Sequence, residues 1–328
     1  MAALLSTSGP LKGAGRFELM AAKPFTENVI PHLLAWRQKG MASALVTLVG
    51  VEGSSPRQTG SQMAVAANGD YHGYISSGCA EAAIVGEAMV AIERGTNRTV
   101  RYGAGSKFID IVLPCGSGID VHFDATISTE VIAELDAEIA ARQPMALVMD
   151  IACERAARLS KDATRASQEF RRSYKPRPRV VVAGRGVHVD YVARFAHELE
   201  WDVVVASPDE ATLARLAAVA RQTQHLTRPD DFDTSVIDPY SAVVLVFHDH
   251  EWEPAILAKC AAAPAFYVGA LGSRRTHAER KKLLAILGCD RGFIDGIRSP
   301  IGLDIAAKNP AEIALAIVAE ILAAVRAG

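Results

Sequence analysis

Hydrophobic positions along the chain follow two rhythms, and where each one holds sets the elements expected. Ile30–Gln38 carries apolar residues at helical spacing, with Pro31 tolerated in its first turn. Ala44–Val51, Gln62–Ala67 and Tyr71–Ile75 alternate enough to be strands, and Asn68–Gly69 is a two-residue hairpin signal between the last two. The period then changes. Ala82, Ile84, Val85, Ala88, Met89 and Ile92 recur as on one helix face until Gly95 stops the run, so a helix is expected to begin near Cys79, with Ser76, Ser77 and Gly78 as turn and N-cap residues. Three short strands within Thr99–Phe123, among them Phe108–Leu113 and Ile119–Phe123, the helix Thr129–Arg142 and the strand Met145–Ile151 complete an α+β domain over residues 27–151.

Residues 1–26, small and polar, read as a loose tail. Residues 152–177 are charged and non-periodic, with six Arg and two Lys, and predict a solvated interdomain linker with a boundary near residue 175. From residue 178 to 328 the rhythm becomes apolar run, turn, helix. Arg179–Ala183 leads into Gly184–Arg185–Gly186 and a helix through Glu200, and Val203–Ala206, Ala242–Phe247 and Ala265–Val268 supply further strands with helices between. That order predicts a Rossmann-like, doubly wound parallel sheet, so the chain is α/β overall: an N-terminal α+β domain followed by the Rossmann-like one. At the far end, Pro310 opens a last helix whose stripe of Ile313, Ala314, Ile317, Ile321 and Ala324 is core.

Composition narrows the function classes. With 328 residues, half of them hydrophobic, there is material for two cores. A net charge of −2 lacks the basic footprint of a nucleic-acid binder. No stretch approaches the ~20 apolar residues of a membrane span, and the first residues do not read as a signal peptide, so a cytoplasmic protein is expected. Cys79, Cys115, Cys153, Cys260 and Cys289 are odd in number and contain no C-x-x-C pair, which argues for free thiols rather than a disulfide framework or a standard zinc site.

Candidate chemistry sits in loops. Cys79, read into a first helical turn, would have its thiol pKa lowered by unpaired N–H groups and the helix dipole. Cys115 lies in the Gly-rich loop Leu113–Gly118, where Gly116 and Gly118 let backbone N–H groups approach a ligand. Glu52–Arg57 forms a third loop, and Arg57 could hold a phosphate or carboxylate bidentately. Each loop taken singly reads as an ordinary turn. In the second domain, Gly184 and Gly186 form the expected phosphate turn. Val189, however, fills the place of a third small residue, and Ser207 stands where an acid would hold a ribose hydroxyl; both count against NAD(P). His188 follows the turn with no role that its position assigns. His248–Asp249–His250 lies at a strand's carboxyl end without an evident third metal ligand. Ser273, as an N-cap, with Arg274 and Arg275 at a helix start, suits an anion.

Together, the run EGSSPR, the Asn-Gly hairpin, SSGCAE, LPCGSG, YVGALGSRR at Tyr267–Arg275 and SPIGLDIAAKNPAEIALAIVAEI at Ser299–Ile321 resemble the XdhC/CoxI family of molybdenum-enzyme accessory proteins. The resemblance implies binding of the molybdenum cofactor (molybdopterin, or its cytosine dinucleotide form), support of its sulfuration, and delivery to a xanthine-dehydrogenase-type molybdenum hydroxylase. It also implies a cysteine desulfurase as partner and a homo-oligomer, with no nucleic acid or membrane. On that reading Cys79 and Cys115 meet the metal or its sulfur, because soft thiolate suits that chemistry. Arg57, Gly78, Gly116, Gly184, Gly186, Ser273, Arg274 and Arg275 hold the rest of the cofactor. Such a protein is a cofactor-binding chaperone rather than a turnover enzyme. The alternatives left standing are an NAD(P)-dependent oxidoreductase using the Rossmann domain, and a structural adaptor that binds no small molecule.

Overall fold

The structure, a computed structural model, describes residues 26–76, 78, 80–106, 116–153, 155–161, 168–247 and 252–327. It divides into two compact units, Met1–Tyr174 and Lys175–Gly328.

The first unit is built on an antiparallel sheet of β1 (Ser43–Glu52), β2 (Gln62–Ala66), β3 (Tyr71–Gly73), β4 (Arg98–Gly103) and β5 (Gly118–Asp124), in the order β3-β2-β1-β5-β4. Both faces of β1 are covered, so it reads as a nearly continuous apolar run. Ala44, Val46 and Leu48 pack with Ile84, Ala88 and Ala91 of α2 (Glu81–Arg94). Leu45 turns the other way, into a core with Leu33 of α1 (Ile30–Gln38), Leu135 of α3 (Thr129–Ala140) and Leu147 of β6 (Met145–Asp150). Gly95, in the left-handed conformation, ends α2 as expected. At its start, α2 opens at Glu81 with Ala80 at the cap, two residues later than the sequence reading.

The expected linker, residues 152–177, is not one. β6 is flanked by β7 (Arg158–Ser160) and β8 (Glu169–Tyr174) in a three-stranded antiparallel sheet of order β7-β6-β8. The strand β6 is buried along its whole length, so its backbone groups need partners on both sides. The charged flanks provide them. Phe170 and Tyr174 face the core, while buried Glu169 is met by Arg158 at 3.2 Å and Arg155 at 3.5 Å. The Tyr174 hydroxyl donates to Gln62 at 2.7 Å, and burial pushes its pKa up to about 12. The unit therefore runs to Tyr174. The expected strand Phe108–Leu113 lies outside the described residues.

The second unit is an all-parallel sheet of β9 (Arg179–Gly184), β10 (Asp202–Ser207), β11 (Gln222–His225), β12 (Ser241–Val246) and β13 (Tyr267–Ala270), in the order β11-β10-β9-β12-β13. This is the doubly wound arrangement, with its reversal point between β9 and β12. Val180 and Val182 face a core with α4 (Val187–Glu198) and α9 (Pro310–Ala327), while Val181 and Ala183 face one with α6 (Glu253–Cys260), α7 (Arg274–Ile286) and α8 (Arg291–Gly296). Each fully buried valine contributes roughly 1.5–3 kcal/mol, which makes this strand the anchor of the unit. β11 carries no apolar rhythm. Its Gln224 instead exchanges hydrogen bonds with the backbone of Asp233, at 3.1 and 3.3 Å. β13 starts two residues later than expected, because Phe266 spends its N–H on Ser241 before the strand begins. The helix α5 (Glu210–Leu216) follows β10, capped by Asp209.

Candidate functional site

In the first unit, register decides which loops are neighbours. Glu52 lies opposite Gly118, Gly103 opposite Gly118, and Met63 opposite Gly73. The carboxyl ends of β1, β3 and β4 and the amino ends of β2 and β5 therefore share one edge of the sheet. The EGSSPR, SSGCAE and LPCGSG loops all spring from that edge. Cys79 and Cys115 themselves lie outside the described residues.

Two side chains that the sequence reading did not single out organise this edge. The Glu81 carboxylate is buried and collects the loop before its own helix. It accepts from the Ile75 and Ser76 amides at 3.1 and 2.7 Å, the Ser76 hydroxyl at 2.6 Å and the Gly78 amide at 2.6 Å. Burial by itself would push its pKa up, but the bonds from Ser76 and the loop amides outweigh it and hold the carboxyl below its ordinary range. The Ser76 hydroxyl in turn accepts from the Ala80 amide at 2.7 Å. Arg101, the second organiser, joins Glu52 and Asp120 and donates to the Ala104 carbonyl at 2.8 Å. Gly118 is required beneath it, since a Cβ there would sit 2.5 Å from the guanidinium and 2.7 Å from that carbonyl.

The other expected residues fall as follows. Arg57 meets Glu27 bidentately at 2.8 and 2.9 Å, so its fork holds a carboxylate of the chain itself. Gly78 and Gly116 have φ of 107° and 69°, conformations that favour glycine, and a Cβ at either would meet nothing within 4 Å. Both leave open space at the loop edge.

In the second unit, Gly184 pairs with Val246 at the reversal point, and a Cβ on it would lie 2.7 Å from the Val246 carbonyl oxygen. Gly186, with φ of 75°, caps α4 and has nothing within 4 Å of its Cβ position. The turn thus packs tightly on the sheet side and opens on the other, the shape an anion at a helix N-terminus needs. Val189 is fully buried in the core below α4, and Ser207 is fully buried with its hydroxyl accepting from the Asp209 amide at 3.1 Å. Neither residue offers a dinucleotide the contact its position would supply. Ser273 caps α7 by accepting from the Thr276 amide at 3.1 Å; Arg274 is exposed, and Arg275 extends into solvent beside Glu279. His248, Asp249 and His250 lie outside the described residues.

Two further features at this end of the sheet were missed. Arg185, between the two glycines, lies over the Trp252 ring at 5.5 Å, and Trp252 stacks on Phe247 at 5.9 Å. Arg280 and Glu253 form a buried ion pair at 2.7 Å, and Arg280 also donates to the Leu271 carbonyl and the Ser299 hydroxyl, tying α6, α7 and the turn after β13 together. No Phe, Tyr or Trp stands near Arg185 in the sequence before Tyr191, so no local spacing signals the first. Nothing in the sequence pairs residue 253 with residue 280.

Comparison with known proteins decides the lineage. Residues 36–103 match the XdhC and CoxI family, and residues 180–321 match the XdhC Rossmann domain. The chain is 34% identical over 288 residues to the molybdenum cofactor insertion chaperone PaoD of Escherichia coli (strain K12), covering 86% of this chain and 83% of that one. The chain belongs to the XdhC and CoxI family. A second E. coli relative, the uncharacterized protein YqeB, is 24% identical over 90% of this chain, which spans 46% of YqeB. A crystal structure from Bacillus halodurans, described as a xanthine dehydrogenase, shares the fold at 23% identity. Its TM-score is 0.76, over 91% of this chain and 96% of that one. Within the family frame, both motif-rich ends identified above, the loop edge of the first unit and the reversal point of the second, fall in or beside the matched segments.

Proposed function

We propose that this chain is a chaperone that binds the molybdenum cofactor and delivers it to a xanthine-dehydrogenase-type molybdenum hydroxylase. The observation that carries the reading is the 34% identity to PaoD, a molybdenum cofactor insertion chaperone, along most of both chains. Bound cofactor would supply the molybdenum and its sulfur ligand, and the chain's own residues hold and shield it. Cys79 and Cys115, on loops from one sheet edge, are the thiolates for the metal end. Gly184, Gly186, Ser273, Arg274 and Arg275 are the cradle for the phosphate end; the open face of Gly186 fits that role. Arg57 would join only by exchanging Glu27 for the ligand.

Molybdopterin or its cytosine dinucleotide form as cargo, sulfuration of the bound cofactor by a cysteine desulfurase, a homo-oligomer and a cytoplasmic setting belong to the same proposal. Among the described residues no helix is long and apolar enough to cross a membrane. The strand order of the second unit also favours a second reading, an NAD(P)-dependent oxidoreductase, against which buried Val189 and Ser207 stand.

Incubation of the purified protein with free cofactor, followed by molybdenum and pterin analysis, separates the two. Stoichiometric pterin supports the chaperone. Micromolar NAD(H) or NADP(H) binding without pterin supports the oxidoreductase. Cys115→Ala should weaken pterin retention while leaving the circular dichroism spectrum unchanged, and equal retention would remove Cys115 from the site.

A further inference from the structure

The parallel sheet has a second end, opposite its reversal-point turns, and that end is hollow. Lys175 and three prolines at 176, 178 and 239, with Tyr240, Phe266 and Ala324, enclose a cavity of about 330 Å³. A second cavity of about 230 Å³, bounded by Phe293 and Arg298, shares Phe266 and Ala324 with the first. Phe266 is therefore the common wall of one two-compartment groove, and it is 36% exposed.

The groove is preformed. Tyr240 is pinned through its carbonyl, which accepts from Arg179 at 2.9 Å, and Phe266 through its amide, which donates to Ser241 at 3.1 Å. The prolines have fixed φ and no N–H to satisfy, so little conformational entropy is lost when the groove is filled.

Charge selects the occupant. Carboxylates at this end of the sheet are already neutralised: Glu200 by Arg177 at 2.9 Å, Asp202 by Arg179 at 2.7 Å, and Asp238 by Arg179 at 3.8 Å. Glu320 is occupied by the Tyr267 hydroxyl and the Gly302 amide. Lys175 in one compartment and Arg298 in the other have no carboxylate within 4 Å among the described residues. The groove thus offers apolar and aromatic walls with an unbalanced cation in each half.

We infer that this groove docks a short acidic segment of a partner protein, two of whose apolar side chains fill the compartments while its flanking carboxylates meet Lys175 and Arg298. A preformed groove with apolar pockets and charged rims suits a peptide that brings anchors and opposite charge. The inference does not depend on the cofactor reading, because the groove lies at the other end of the sheet.

The test is fluorescence anisotropy of the full-length protein with a fluorescein-labelled peptide Asp-Glu-Phe-Leu-Asp-Glu. Saturable binding is expected, and it should weaken about tenfold when the acidic residues are replaced by lysine and about tenfold when Phe-Leu becomes Ala-Ala. Lys175→Glu with Arg298→Glu, both surface changes, should reverse the preference to the lysine peptide. Phe266→Ser should weaken both peptides. Equal affinity for the acidic and basic peptides would overturn the inference, as would indifference to the charge-reversed variant. A photo-crosslinker at position 266 gives a second readout: attachment to the peptide supports the groove. Attachment instead to residues 26–174 of the same molecule shows the groove already filled from within and overturns it.

Discussion

The two units hold their candidate chemistry by opposite means. In the antiparallel first unit, loops alternate between the two ends of the sheet, and side chains do the gathering: Glu81 draws four donors from Ile75–Gly78 just ahead of its own helix, and Arg101 bridges Glu52 and Asp120 across strands. In the parallel second unit every strand delivers its carboxyl end to the same side, and the backbone does the gathering, with glycines at the reversal point and a capped helix start after β13. The first arrangement hangs its loops on a few polar side chains, the buried Glu81 and the partly exposed Arg101, above two apolar cores. The second spreads its stability over the valines of β9 and its neighbours, with the Arg280–Glu253 ion pair as a buried charged link between two of its helices. Sensitivity to side-chain truncation should differ accordingly.

The largest effect is expected where the second unit does rely on a polar link. Arg280→Met leaves Glu253 buried and uncompensated, a cost of about 3–5 kcal/mol, whereas Arg280→Met with Glu253→Met should recover most of it. Urea unfolding of both variants checks this; a double variant no more stable than the single one would show that the pair is not the source of the loss. Next comes Glu81→Ala, which strips charge-assisted bonds from loop donors at a cost of about 2–4 kcal/mol and loosens the segment carrying Cys79. Limited proteolysis between Gly73 and Glu81, faster in the variant, is the direct readout.

A smaller effect concerns pH. The Glu81 carboxyl is held below its ordinary range, so its contribution is present above the usual carboxylate pKa and is lost as pH falls through the folded value. His122 acts at a higher pH. Burial lowers its pKa, outweighing Asp124 and Asp150, which act to raise it. Its Nδ1 lies 3.0 Å from the Thr99 hydroxyl, whose proton goes to the Ile151 carbonyl at 2.9 Å. The unfolded chain therefore binds a proton that the folded one refuses, and stability should begin to fall as pH drops through the ordinary histidine range near ~6.5. His122→Gln should flatten that portion of a stability–pH curve while leaving the carboxylate portion in place.

The smallest effect is kinetic. Burial pushes Cys260 up to about 12 and also raises Cys153 and Cys289. All three should react slowly with iodoacetamide at neutral pH, and Cys79 faster. Equal labelling rates across the cysteines would remove the case for an activated thiol at that loop.

Much of this was legible in the residues. Ile30–Gln38 forms a helix over the expected span, the Asn68–Gly69 hairpin joins β2 and β3, and the β9–α4 turn and the Ser273 cap fall where period and cap chemistry place them. These are local decisions, made by spacing and turn residues within a few positions. The stretch 152–177 defeated the same reasoning because its apolar anchors, Phe170 and Tyr174, are spaced among arginines, and their burial depends on a partner strand that begins twenty-odd residues earlier. β11 was equally silent, since an edge strand stabilised through Gln224 needs no apolar alternation.

The site divides along the same line. Sequence alone determined that glycines and arginines of the motifs lie in loops next to strand ends and helix starts, because those residue types are set by local backbone geometry and the motifs are contiguous. Only the tertiary structure decided that the EGSSPR, SSGCAE and LPCGSG loops leave one edge of one sheet, that Arg57 is met by Glu27, that Arg185 rests on Trp252, and that Glu253 finds Arg280. Each of those depends on strand register or on burial across long sequence separations, and a one-residue slip in register would turn every side chain to the opposite face. No local pattern encodes that choice.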